Sequence, residues 1–250
     1  MDRTLALVLE YDGTPYRGFQ RQAGVASIQE RVETALEMLF GQPTPVVAAG
    51  RTDAGVHATG QVISCSTTSE LPLRRIAVAA SAILRPSGIA VVRAVERAPG
   101  FSARRDALAR TYRYEILNRV APSPLLARRA FHVGAVLDLT AMARGGAHLV
   151  GEHDFAAFCA SESRHKPTRR TLQVVELSRR GDSIDIRIRA DSFLHNMVRI
   201  VVGTLIEVGR GRRPVEDVNA TLQSQDRARA GFTAPAHGLY LEHVTYEDPV

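Results

Sequence analysis

Residues 183–191 read SIDIRIRAD, and their alternation decides between two architectures. Ile184, Ile186 and Ile188 fall on one side of a two-residue period, with Asp185, Arg187 and Arg189 on the other. A strand of a doubly wound parallel sheet is covered on both faces and reads as an unbroken apolar run. One apolar and one polar face is instead the pattern of an antiparallel strand with a wet side. The segment therefore predicts an α+β protein whose sheets are mixed and mostly antiparallel, flanked by helices, with a basic outer face on this strand.

Outward from this stretch, TLQVVELSR at 171–179 reads as the strand before it, and DLTAMARGGAHLV at 138–150 as a helix. A long helix is expected from about His195 to Val208, ended by Gly209 and Gly211 with Pro214 beyond, as helix ends usually are. A short helix over 214–223 and the strand GLYLEHVTY close the chain. The first half has the same style. Leu5, Leu7, Leu9 and Tyr11 alternate along a strand that breaks at Asp12-Gly13. Over 27–40, Ile28, Val32, Ala35, Leu36 and Leu39 share one helical face, with Ser27 as N-cap and Glu30 as its capping-box partner. PVVAAG and QVISCS follow as strands around a loop, then a helix over 72–84 and the strand IAVVRAVE. The connector RAPGFSARRDALAR is basic and poorly periodic, which predicts two subdomains, 1–105 and 106–250, with an active-site cleft between them.

At 250 residues with 45% hydrophobic content, the chain can bury one large core or two smaller ones. No apolar run approaches the roughly 18 residues that span a bilayer, and Asp2 and Glu10 interrupt any signal-peptide core, so a cytoplasmic protein without a membrane partner is expected. Cys65 and Cys159 lie far apart with no CxxC or Cys/His cluster, which argues against a disulfide framework or zinc site and for two buried small hydrophobes. The net charge is +6, and every basic residue but Lys166 is arginine. Coding bias could raise the arginine count, but it does not explain the pairs at Arg74–Arg75, Arg104–Arg105, Arg128–Arg129, Arg169–Arg170 and Arg212–Arg213. Paired, stackable guanidiniums suit a polyanion, and nucleic acid is the expected partner class.

GRTDAGVHATG at 50–60 is punctuated by Gly50, Gly55 and Gly60, and reads as a loop presenting Arg51, Asp53 and His57 near the surface. An aspartate in such a loop is commonly a turn former. Its neighbours favour chemistry. Arg51 is two residues away, and Arg199 lies in the otherwise apolar helix SFLHNMVRIVVG, where a charge needs a partner. A carboxylate paired with arginine stays ionised, as suits a nucleophile and not a general acid. Other chemistries lack their parts. His57 is not followed by the glutamate of a zinc deaminase, no second carboxylate arm serves a glycosidase or aspartic protease, and neither a Walker A nor a GxGxxG sequence is present. In ARTYRYEIL, Tyr112 and Tyr114 share a strand face. A tyrosine beside arginines can stack on an unpaired base or simply pack in the core; Tyr114 reads as core, and for Tyr112 both readings stay open on the residues alone.

These blocks, YDGTPYRGFQRQ, GRTDAGVHA, FSARRDALARTYRY, FLHNMVRIVVGTLIEVGRG and GLYL, stand in the order of the tRNA pseudouridine synthase A family, which the chain resembles over residues 5–245. Phe19 departs from the pattern, since many relatives carry tryptophan there. The resemblance implies a cofactor-free isomerase converting uridine to pseudouridine in the anticodon stem-loop of tRNA, working as a homodimer. It implies Asp53 as nucleophile, Tyr112 against the target base, Arg199 pairing with the aspartate, Leu241 as an apolar wall, and Arg51 filling the gap left by a flipped nucleotide. Further RNA contacts fall to His57, Arg104, Arg110, Arg169 and Arg170. The rival readings are a non-catalytic RNA-binding protein, in which Asp53 is dispensable, and a hydrolase with His57 as general base. An arginine surface of this kind should give tRNA affinity that falls steeply with salt. Filter binding across a salt series tests this, and affinity flat between low and moderate salt would contradict it.

Overall fold

The computed structural model describes residues 2–160 and 167–250. By contacts the chain forms two compact units, Met1–Arg110 with Tyr240–Val250, and Thr111–Leu239. The last strand, expected with the second half, thus belongs to the first unit. Pairings distant in sequence hold it there: Leu108 N donates to Thr245 O at 2.8 Å, and the Tyr246 hydroxyl donates to Ala103 O at 2.7 Å.

In the first unit, β1 (Arg3–Tyr11) runs antiparallel to both β3 (His57–Thr67) and β4 (Ile89–Arg97), and β2 (Val47–Ala48) pairs with β3. Leu5, Leu7, Leu9 and Tyr11 are buried, as their alternation predicts. β10 (Leu239–Thr245) lies parallel to β3, with Tyr240 opposite His57 and Leu241 opposite Ala58. Helices α1 (Ile28–Phe40) and α2 (Leu73–Leu84) bury Ile28, Val32, Ala35 and Leu36, and Ile76, Ala80 and Leu84. The Ser27 hydroxyl caps α1, accepting from Glu30 N at 3.3 Å. The Ser81 hydroxyl ties α2 to β4, donating to Val91 O at 3.1 Å and accepting from Val91 N at 2.8 Å. Cys65 is buried in β3, which pushes its thiol up to about 12.

In the second unit, β5 (Ala109–Leu117), β9 (Ser183–Ala190), β8 (Arg169–Arg180) and β7 (Gly151–Asp154) lie in that order, with β6 (Phe131–His132) parallel to β5. β8 is antiparallel to β7 and β9, so the mixed, mostly antiparallel α+β character holds in both units. Ile184, Ile186 and Ile188 are buried as expected, but the opposite face is not simply wet. Asp185 is buried, because Arg113 Nη1 and Arg180 Nη2 reach its two carboxylate oxygens at 3.2 and 2.9 Å. A carboxylate held between two guanidiniums can leave water, and alternation alone does not report such partners.

Helices α3 (Leu139–Ala147), α4 (Met197–Gly209) and α5 (Asp217–Ser224) complete the unit, α3 packing on α4 and β8. The Asp138 carboxylate caps α3 at Ala141 N, 3.0 Å away. α4 begins two residues later than the sequence suggests and includes Gly209. It is buried along its length except at Arg199 and Glu207. The segment after α5 reaches its backbone because Gly203 has no side chain: a Cβ there would lie 1.8 Å from Phe232 O. Among the described residues no helix is long and apolar enough to cross a membrane.

Candidate active site

The loop before β3 is an irregular chain whose polar backbone must find partners outside any regular ladder. Gln61, fully buried in β3, supplies two: its Nε2 donates to Gly50 O at 2.7 Å and its Oε1 accepts from Gly50 N at 3.4 Å. The Tyr11 hydroxyl lies 2.8 Å from Thr52 Oγ1 and 3.5 Å from Gln61 Nε2. Thr52 O accepts from Phe19 N at 3.0 Å, and Gly55 N donates to Tyr16 O at 3.3 Å. Val56 N closes a turn onto Asp53 O at 3.1 Å, with Gly55 at a φ of +78° that suits glycine. Because Thr52 is the inward anchor, its neighbours are left outward: Arg51 is exposed and Asp53 half-buried.

Three side chains, Gln61, Tyr11 and Thr52, thus hold the loop together with the backbone at Tyr16 and Phe19, and of the three only Thr52 belongs to it. Burial pushes the Tyr11 hydroxyl up to about 12, against the opposing hydrogen bonds of Thr52 and Gln61, so it stays protonated at neutral pH. Gly13 fits for want of a side chain, since a Cβ there would sit 1.9 Å from Val56 O.

His57 corrects the sequence reading. It is not a surface loop residue but the first residue of β3, 1% exposed and stacked on Tyr240 at 4.8 Å. Its Nδ1 lies 3.2 Å from both Gly13 N and Asp12 Oδ1, and it therefore braces the turn after β1. Burial removes it from phosphate contact, and the same burial disfavours the hydrolase reading. Arg110 also turns inward: its guanidinium donates to Ala49 O at 2.8 Å, to Arg104 O at 2.8 Å and to Ala107 O at 3.0 Å. Carbonyls that already engage these donors leave Arg110 a role in shaping the connector. Arg104 is exposed, and Leu241 is fully buried beside Ala58.

In the second unit, Tyr112 on β5 is 8% exposed and meets Phe193 edge-on at 5.1 Å. Tyr114 is core, its hydroxyl donating to Pro235 O at 2.8 Å, and burial raises it far above the ordinary tyrosine value. Arg199 Nε donates to Ala234 O at 2.7 Å, and its Nη1 donates to Asn196 Oδ1 at 2.7 Å. Burial, with the nearby Arg199 charge, lowers His237 below the ordinary histidine value despite an opposing backbone hydrogen bond, keeping it neutral at pH 7. Arg169 is exposed and pairs with Glu152 at 3.0 Å, and Arg170 Nη1 donates to Pro167 O at 3.0 Å.

Comparison with known proteins places the chain in a family. The tRNA pseudouridine synthase family profile matches residues 7–103 and 147–247, spanning both the Asp53 loop and the Arg199 helix. The chain belongs to the tRNA pseudouridine synthase family. It is 44% identical to tRNA pseudouridine synthase A of Geotalea uraniireducens, over 98% of this chain and 100% of the relative. It is 46% identical to the protein of that name from Moorella thermoacetica, over 97% and 99%, and 45% identical to that of Methylobacterium nodulans, over 97% and 95%.

In this synthase family member, the exposure of Arg51 and Arg104 is legible in the sequence, whereas the supports of the Asp53 loop are not. Gln61 and Thr52 look like ordinary polar positions in a strand and a loop, and their only signal is a carboxamide at the head of the apolar run VISC. Replacing Gln61 with leucine removes both partners of Gly50 while preserving bulk. The expected cost is about 1–3 kcal/mol in urea unfolding, with faster hydrogen exchange at Gly50 N. Unchanged stability and exchange would show that the carboxamide does not hold the loop.

Proposed function

We propose that this chain isomerises uridine to pseudouridine in the anticodon stem-loop of tRNA, with Asp53 as the nucleophilic carboxylate. The observation that carries this reading is the Asp53 loop itself. A half-buried carboxylate stands beside an exposed arginine on a backbone clamped by Gln61, Tyr11, Phe19 and Tyr16, in a member of the tRNA pseudouridine synthase family. Rigid presentation of one carboxylate suits a reaction that needs a group held at the sugar or base, because a fixed near-attack geometry contributes much of the barrier reduction.

The reaction breaks the N1–C1′ glycosidic bond and forms a C5–C1′ bond in the same nucleotide. The C5 proton leaves and N1 regains one, so neither oxidant nor cofactor enters the balance. A uridine inside a stem must first leave its stack, at on the order of a few kcal/mol. In this proposal Arg51 occupies the vacated space. Tyr112 packs on the extruded base, an interaction worth roughly 1–3 kcal/mol. Arg199 keeps the nucleophile ionised, and Leu241 supplies an apolar wall. Arg104, Arg169 and Arg170 meet phosphates, reading shape and backbone as structured RNA demands. Homodimerisation and a cytoplasmic location belong to the same proposal and rest on the family resemblance.

The test is carbodiimide mapping of pseudouridine in unmodified tRNA transcripts, with binding measured in parallel. Wild type should modify uridines on the 3′ side of the anticodon stem-loop. Asp53→Asn should bind the same transcripts within a few-fold yet leave them unmodified. Modification by the variant would remove Asp53 from the chemistry, and free uracil in place of pseudouridine would identify a hydrolase.

A further inference from the structure

The start of α4 is not an ordinary helix start. An N-cap asparagine usually has extended backbone and turns its side-chain oxygen onto the N–H of the second or third helical residue. Asn196 has φ 61° and ψ 5°, in the left-handed region, and its side chain makes no capping bond. Its carbonyl still begins the helix, accepting from Ile200 N at 3.0 Å. Among the described residues the other non-glycine with positive φ is Gln225, at the C-terminal end of α5, where that conformation is common. At a helix N-terminus it has no such routine purpose, and asparagine bears it better than most residues.

The left-handed turn changes what the amide oxygen reaches. In place of a backbone N–H, Asn196 Oδ1 accepts from Arg199 Nη1 at 2.7 Å. Another edge of the guanidinium is held by the segment after α5, where Ala234 O accepts from Arg199 Nε at 2.7 Å and Ala234 N donates to Arg199 O at 3.0 Å. That segment is itself fixed. Gly231 N donates to Thr204 Oγ1 at 2.9 Å, and Gly203 allows Phe232 O against the helix. A long side chain otherwise free to rotate is gripped at Nε and at Nη1, which fixes the plane of its fork.

We propose that Asn196 is a positioning residue for the isomerisation: its left-handed backbone aims an amide oxygen that holds the Arg199 guanidinium in its working orientation. This rests on the role assigned to Arg199 above. A guanidinium in a fixed plane meets its partner without an ordering cost at each turnover, and small misplacements of such a group reduce rate more than binding.

Glycine and aspartate at position 196 separate this role from the backbone conformation, since glycine adopts φ 61° freely but carries no acceptor, and aspartate tolerates it and keeps one. Single-turnover rates and tRNA dissociation constants would be measured for wild type, Asn196→Gly, Asn196→Asp, Arg199→Ala and the Asn196→Gly/Arg199→Ala double variant, each checked as folded by its thermal transition. Asn196→Gly should lower the rate about 10- to 100-fold while leaving tRNA affinity within about two-fold. Asn196→Asp should recover most of that loss, and the double variant should be no slower than Arg199→Ala. A wild-type rate for Asn196→Gly, an equal loss for Asn196→Asp, or a further loss in the double variant would overturn the proposal. If Arg199→Ala reacts like wild type, the role given to Arg199 fails, and the positioning role with it.

Discussion

A carboxylate on an irregular loop can be held in place only if the polar backbone around it is paired, and the Gln61 carboxamide meets that constraint here. It grips the carbonyl and the amide of Gly50 from within β3, while Tyr11 reaches Thr52 and the chain at Tyr16–Phe19 closes on the far side. Each support sits in buried, regular or closely packed structure, so the rigidity of the sheet passes to the loop. An apolar residue at position 61 would pack as well but take away the partners of two part-buried polar groups, the amide and carbonyl of Gly50, a larger penalty than the modest net gain of an average hydrogen bond.

The second unit solves the same problem differently. Its polar residue lies on a helix that is otherwise almost wholly buried, and an unsupported guanidinium there would be costly. Two neighbours answer: an asparagine in an uncommon backbone conformation, and a strap of chain that glycines allow to lie against the helix. The Tyr114 hydroxyl and Pro235 tie that strap to β5, the strand carrying Tyr112. Arg199 and the tyrosine strand therefore share one support, although they lie far apart in sequence.

Much of this was legible in the letters. The alternation at 184–188 and along 5–11, the capped helix beginning at Ser27 and the long apolar helix ending near Gly209 all follow from local periodicity and capping, and the structure contains each. Asp53, Arg51 and Arg199 stood out because charged groups in a glycine loop or an apolar helix demand explanation. What was not legible depends on partners distant in sequence. His57 reads as a loop residue until β3 is seen to begin there and Tyr240 to cover it. Asp185 reads as solvent-facing until Arg113 and Arg180 are found beside it. Arg110 reads as one more basic residue until its guanidinium is seen to tie together three carbonyls. The closing strand joins the first unit through a parallel pairing with β3 that no local pattern announces.

The central claim is that this chain makes pseudouridine through Asp53, and the most direct measurement is single-turnover release of tritium from tRNA labelled at uracil C5. Release by wild type and none by Asp53→Asn, at equal tRNA occupancy, is the predicted result. Release by both proteins, or by neither while tRNA remains bound, would contradict it.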